Sequence, residues 1–339
     1  MKIIDVTLRD GGFATDFDWD INAAGLYLNT LSTLSVAFVE VGYWKQTAKS
    51  QNSFYNFSAN TLQRLTANAA SIPPLAIMVD YHYCTKDLSE YPCLGETPIE
   101  MIRITSRKED FSEAIKFAEK LKNKTKLLVS FQIINVTNYS KSELTSRVEC
   151  LNSFEFIDIV GFADSHGNLN LIKDSLFFTG VFDLLDEQSK KWGFHLHNHT
   201  DRATMNYYWL IANSNCGYID ASVNGLGKGM GNLALENVLR NEEICHLLHY
   251  LVTSPMHPLK TTIFNALCNI SGRLSCTDNY AKLAAARANI SVSDFYNILC
   301  RIRGVDRDTF NMNEFNRIHE YIGKFRSSNS PKARGHVSS

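Results

Sequence analysis

Ile3-Ile4-Asp5-Val6-Thr7-Leu8-Arg9-Asp10-Gly11-Gly12 opens the chain with an apolar, largely β-branched run that ends in charge and glycine. Such a run reads as a buried strand, and the residues after it separate two folds. A doubly wound open sheet would carry Gly-x-Gly-x-x-Gly after its first strand, and no such pattern stands here. Comparable runs recur at intervals of about 25 to 35 residues, at Phe38–Tyr43, Leu75–Tyr81, Met101–Thr105, Lys126–Ile134, Phe156–Phe162, Gly193–His197 and Tyr218–Val223. Helical periodicity lies between them. Asp20–Leu34 carries Leu26, Leu28, Leu31 and Leu34, and Ser112–Leu121 sets Ala114, Phe117, Ala118 and Leu121 on one face. Alternating strands and helices imply parallel pairing with right-handed crossovers. Eight such units before residue 250 predict an α/β fold, a closed (β/α)8 TIM barrel over 1–250.

Beyond about residue 255 the strand pattern stops. Pro258–Leu267, Asp278–Ala288, Ser291–Arg301 and Thr309–Phe325 read as helices, which predicts a small C-terminal α-helical extension over 255–326. The polar, aperiodic stretch 327–339 reads as a disordered tail. The formal net charge of −1 offers no footprint for a nucleic-acid groove or an anionic membrane. No apolar run is long enough to cross a bilayer. Eight cysteines without a Cys-x-x-Cys pair read as reduced thiols, so a cytoplasmic protein is expected.

In such a barrel the chemistry sits where the strands end. The ionisable residues of this chain gather there: Arg9-Asp10 after the first strand, Glu40 in the second, Asp80-Tyr81-His82 after the third, Asp164-Ser165-His166 after the sixth, and His195 and His197 in the seventh. Two histidines two apart on a strand share a face, so both imidazoles can reach one divalent ion. An aspartate from another strand would complete a three-ligand set with positions left open. Taken alone, a His-x-His pair serves packing as readily as metal binding. Glu40 serves equally as partner to an interior arginine, and Asn232 as a helix cap.

Thr7-Leu8-Arg9-Asp10-Gly11, His195-Leu196-His197-Asn198 and Gly225-Leu226-Gly227-Lys228-Gly229-Met230-Gly231-Asn232 together resemble the DRE-TIM metallolyase (HMGL-like) superfamily, over residues 1 to about 245. Phe38-Val39-Glu40-Val41-Gly42 and Asp164-Ser165 extend the likeness, and Arg9-Asp10-Gly11-Gly12-Phe13 looks most similar to the 4-hydroxy-2-oxovalerate aldolase type. The resemblance implies Asp10, His195 and His197 as ligands of Mn2+ or Mg2+, with Zn2+ also compatible, and Asn232 as a fourth ligand. It implies that the metal acts as Lewis acid and template for the enolate of a 2-oxo acid. Arg9 would add charge at the enolate oxygen, and Glu40 and Asp164 would orient Arg9 and the metal-bound water or substrate.

The aldolases carry a histidine three residues after the aspartate, where this chain has Phe13. His166 and His82 are the expected replacements as acid–base, with Tyr43, Tyr81 and His199 behind them. The expected activity is a metal-dependent lyase joining or cleaving a pyruvate-type enolate and an aldehyde. A Claisen-type acyl-transferring enzyme and a non-catalytic, partner-dependent barrel are the alternatives. An aldehyde dehydrogenase is the partner class the resemblance implies. The helical extension could serve that docking, a homodimer contact, or simply cover one barrel end.

Overall fold

The apolar runs become eight parallel strands: β1 (Lys2–Asp5), β2 (Val36–Tyr43), β3 (Leu75–Asp80), β4 (Ile99–Thr105), β5 (Leu128–Ile133), β6 (Ile159–Asp164), β7 (Lys191–Leu196) and β8 (Tyr218–Ala221). They pair in chain order and β8 returns to β1, closing the barrel. This is the architecture in the computed structural model, which describes residues 1–45, 53–67, 69–287 and 289–328. The seam is parallel, with Lys2 N donating to Gly217 O at 2.7 Å and Val6 N to Ala221 O at 2.9 Å. Thr7 Oγ1 accepts from Val223 N at 3.0 Å and donates to Asp5 Oδ2 at 2.8 Å, fixing the first strand to the last.

Between strands run α1 (Ile21–Leu31), α2 (Ala59–Ala67), α3 (Phe111–Thr125), α4 (Lys141–Asn152), α5 (Ser175–Asp186) and α6 (Ala203–Asn213). Helix α1 starts where the Asp20 carboxylate accepts from Asn22 N and Ala23 N, and α4 starts at a Ser140–Glu143 capping box. One crossover departs from the expected alternation. The β3–β4 connection holds only a short 3-10 turn, Leu88–Glu90. Pro92 and Pro98 flank Gly95 there, and none of the three propagates a helix.

Ile4, Val6, Phe38, Ala76, Met101, Ile159 and Tyr218 form one buried apolar cluster within the barrel. Above this apolar layer the inward positions turn polar, with Glu40, Arg103, Gln132, His195 and Asp220 all buried. The first strand also ends three residues earlier than its apolar run suggests. Asp10 N and Gly11 N turn back onto Val6 O, which curls Thr7–Gly11 over the open end of the barrel.

Contacts divide the chain into two compact units, 1–239 and 240–339. Helix α7 (Asn241–Thr253) therefore lies in the second unit, although the sequence reading kept residues to 250 with the barrel. The rest of that unit is helical, as expected: α8 (Ile263–Arg273), α9 (Asn279–Ala285), α10 (Val292–Leu299) and α11 (Met312–Ser328). Its own core includes Tyr280 and Phe315, whose rings stack at 5.6 Å, with Phe295 beside them. Ser327 and Ser328, read as the start of a tail, end α11, and the remainder of that stretch, 329–339, lies outside the described residues. No helix among the described residues is long and apolar enough to cross a membrane.

Candidate metal centre

Asp10 stands in the turn after β1, His195 on β7, and His197 just past the strand end, where it bridges to Asn232. Their ligand atoms all lie within 4.8 Å of one another. His195 Nε2 is 3.2 Å from His197 Nε2 and 3.8 Å from Asp10 Oδ2. Gly231 makes the approach of Asn232 possible. It adopts φ +88, and a Cβ there would come within 2.1 Å of Gly225 O. Asn232 Nδ2 donates to Asp10 Oδ2 at 2.9 Å and to Leu226 O at 3.0 Å.

The donor set fits a divalent cation on four grounds. His195 Nδ1 lies 2.9 Å from Asp220 Oδ2, so the hydrogen bond assigns the proton to Nδ1 and leaves the Nε2 lone pair facing Asp10 and His197. Burial, reinforced by the adjacent His195, drives the His197 imidazole down to about 3, so it is neutral at working pH. Burial alone would raise the Asp10 carboxyl, but Arg9 and the two imidazoles outweigh it and hold the group below the usual range, ionised. Asn232 Oδ1 is buried beside Asp10 without a hydrogen-bond partner. Asn232 is thus placed to supply a fourth ligand atom, an oxygen.

A buried ion network surrounds the centre. Arg9 Nε bonds Glu40 Oε2 and Arg9 Nη1 bonds Asp10 Oδ1. Arg103 Nη1 bonds Glu40 Oε1 at 3.1 Å, and Arg103 Nη2 bonds Asp220 Oδ2 at 2.7 Å. Two guanidiniums against three carboxylates leave the cluster one negative charge in excess, which a bound cation would offset. Asp220→Asn replaces the charged acceptor that fixes His195 with a neutral amide and leaves Arg103 underpaired. Metal affinity should fall about 10- to 100-fold by calorimetric titration; an unchanged affinity would show that Asp220 does not orient the ligand.

A cavity of about 320 Å3 opens above the network, lined by Arg9, Asp10, Tyr43, Asp80, Thr105, His195, His197 and Lys228 among others. Of the residues expected from the sequence, Arg9, Asp10, Glu40, His195, His197 and Asn232 are brought together. Asp164 is not part of this cluster. Its carboxylate takes the amides of Asn168 and Leu169 at 3.2 and 3.1 Å, so it ties the β6–α5 loop and does not orient Arg9. Burial raises it to about 6, against those two amides.

His166 is exposed, with Nε2 3.0 Å from Asn138 Nδ2, and His82 is exposed with Nδ1 3.4 Å from Asp110 Oδ2. Neither lines the cavity. Both sit at strand ends, as expected, but on loops that turn their rings outward. His199 stacks flat on His197 at 5.3 Å, outside the lining, while Tyr43 lines the cavity beside Arg9 and Tyr81 does not. Sequence reasoning missed Arg103 and Asp220, and placed Asp80 at a strand end without giving it a role. The signal for the first two was a lone charge inside an otherwise apolar strand, at Met101-Ile102-Arg103-Ile104 and Tyr218-Ile219-Asp220-Ala221.

The HMGL-like family model matches residues 98–263. Solved structures share the fold of this chain. An N-terminal domain from Bacteroides vulgatus, provisionally assigned as an aldolase, superposes with a TM-score of 0.56 at 23% identity, covering 94% of this chain and 99% of that one. Hydroxymethylglutaryl-CoA lyase from Pseudomonas aeruginosa gives 0.55 at 16% identity over 85% and 98% of the two chains. The carboxyl transferase domain of Rhizobium etli pyruvate carboxylase, in a structure with pyruvate, gives 0.53 at 12% over 97% and 61%. At these identities the likeness concerns the fold.

Proposed function

We propose that this protein is a carbon–carbon lyase of the DRE-TIM metallolyase superfamily that uses Mn2+ or Mg2+, and acts as an aldolase on a pyruvate-type 2-oxo acid and an aldehyde. The observation that carries this reading is the convergence of Asp10, His195 and His197 beside the Arg9 guanidinium at the floor of one cavity. A divalent cation held by those three residues, with Asn232, would polarise the 2-oxo acid and lower the cost of forming its enolate.

The chain's own residues supply the rest. Arg9 is buried, and although burial opposes its charge, Glu40 and Asp10 keep the guanidinium firmly protonated. It therefore presents a fixed positive charge where an enolate oxygen develops negative charge, with little reorganisation during the reaction. Glu40, gripped by Arg9 and Arg103, holds that guanidinium in place. Tyr43 stands over Arg9, with its ring centroid 5.7 Å from the guanidinium carbon, and walls the cavity against water. The cavity volume suits a small substrate. Release of an aldehyde would suit an aldehyde dehydrogenase as partner.

The test is exchange of pyruvate methyl protons in D2O with Mn2+, followed by NMR. Metal-dependent exchange is expected, because enolate formation needs no knowledge of the aldehyde. Folded, metal-loaded protein that exchanges nothing would overturn the pyruvate assignment.

A further inference from the structure

His195 and His197 are the only histidines lining the cavity among the described residues, and both face the cation position. The proton that moves when the aldol bond breaks needs another carrier. Three carboxylates line the cavity: Asp10, Asp80 and Asp220. Asp10 is committed to Arg9, Asn232 and the imidazoles, and Asp220 to Arg103 and His195. Asp80 is different. Its Oδ1 accepts from His82 N at 3.1 Å, and among the described residues no other hydrogen bond or ion pair holds the carboxylate.

Asp80 ends β3, paired in register with Thr105 of β4. It shares the inward face with Met78, two residues earlier, which also lines the cavity. We propose that Asp80 is the acid–base of the aldolase reaction, taking the proton from the aldol hydroxyl and returning it to the enolate carbon. The inference rests on the aldolase reading given above.

The surroundings suit that task. Lys45 from β2's end is 5% exposed, with Nζ 3.4 Å from the Tyr55 ring centroid, 4.6 Å from Tyr43 and 5.7 Å from Tyr83, and with no carboxylate in ion-pair reach among the described residues. Lys45 and Arg107 are the cationic groups that act on Asp80, with the His82 ring nearby. Burial raises the Asp80 carboxyl above its ordinary value, and those cations with the His82 amide limit the rise. A carboxyl nearer working pH transfers protons in both directions more efficiently.

In the cleavage direction the Asp80 carboxylate takes the hydroxyl proton, and the O–H electron pair becomes the second bond of the aldehyde carbonyl. The adjacent carbon–carbon bond breaks and its pair becomes the carbon–carbon double bond of the enolate, while the π pair of the keto group moves onto its oxygen, beside Arg9. Asp80 then delivers the proton to the terminal enolate carbon. Aldehyde and 2-oxo acid leave, the carboxylate is restored, and no oxidant or reductant is consumed.

Asp80→Asn and Asp80→Glu, loaded with Mn2+, test this with 4-hydroxy-2-oxovalerate cleavage and with pyruvate exchange in D2O. Asp80→Asn should lower both rates about 100- to 10,000-fold with unchanged metal stoichiometry and circular dichroism. Asp80→Glu should keep part of the activity. The wild-type kcat/KM should fall on the acid side with an apparent pKa above the ordinary aspartate value of about 3.9, and Asp80→Glu should move that limb. Active wild type with Asp80→Asn within about threefold of it removes Asp80 alone from the mechanism. Wild type inert in both assays takes the aldolase reading down, and this inference with it.

Discussion

His195→Ala is expected to abolish stoichiometric metal binding and pyruvate proton exchange together, while the protein stays folded. His195 is the centre of the ligand set, within 3.2 Å of His197 Nε2 and 3.8 Å of Asp10 Oδ2. By comparison with structural zinc sites, which bind with about 10–16 kcal/mol, one ligand in four carries on the order of 3 kcal/mol, a hundredfold or more in affinity. The substitution also strands Asp220, but Arg103 still pairs with it at 2.7 Å, so the barrel keeps a partner for that charge. Elemental analysis after gel filtration, with circular dichroism as the folding control, reads the outcome. His166→Ala, which removes only a bond to exposed Asn138, should retain its metal and serves as the matched control. A folded His195→Ala protein holding one metal ion per chain would show that the three residues do not form the site.

Arg9→Met should cut exchange about 100- to 1,000-fold, the range found when one preorganised donor to a developing oxyanion is removed. It should also cost stability. Glu40 would keep only Arg103, and Asp10 only Asn232 and the Lys228 amide, in the absence of metal. Breaking a buried ion pair by deleting one partner costs about 3–5 kcal/mol. For a unit of this size that lowers Tm by about 10 °C. The two effects separate experimentally, because exchange measured well below the transition reports chemistry and a melting curve reports the network. A variant that melts early yet exchanges at the wild-type rate would leave Arg9 a purely structural role.

The parts of this molecule that repeat were the parts legible in the chain. A strand buried on both faces must be a short apolar run, and eight such runs in parallel can only close or open. The candidate triad was legible because two of its members share a strand face and the third lies in the turn after the first strand. Arg103 and Asp220 were not, since their partnership spans 117 residues and neither carries a neighbour that betrays it. His82 and His166 show the opposite failure. Being at a strand's end says which mouth of the barrel a residue occupies, but the loop's turn decides whether its ring points in. Asp80, two residues before His82, keeps the strand's own alternation and faces inward for that reason. The helix expected between β3 and β4 failed on composition, through two prolines and a glycine.

Asp10 comes from the chain's beginning, whereas the atoms that meet it, Lys228 N at 3.3 Å and Asn232 Nδ2 at 2.9 Å, lie more than two hundred residues later. A nascent polypeptide therefore cannot assemble the ligand set until its eighth strand and the glycine loop have emerged. An ion held there would act as a clasp on the ring, since the ligand set exists only in the finished form. At a hundredfold excess over its dissociation constant, such a clasp adds about 2.7 kcal/mol to folding. Chelation of such an ion should therefore lower the melting temperature as well as the turnover.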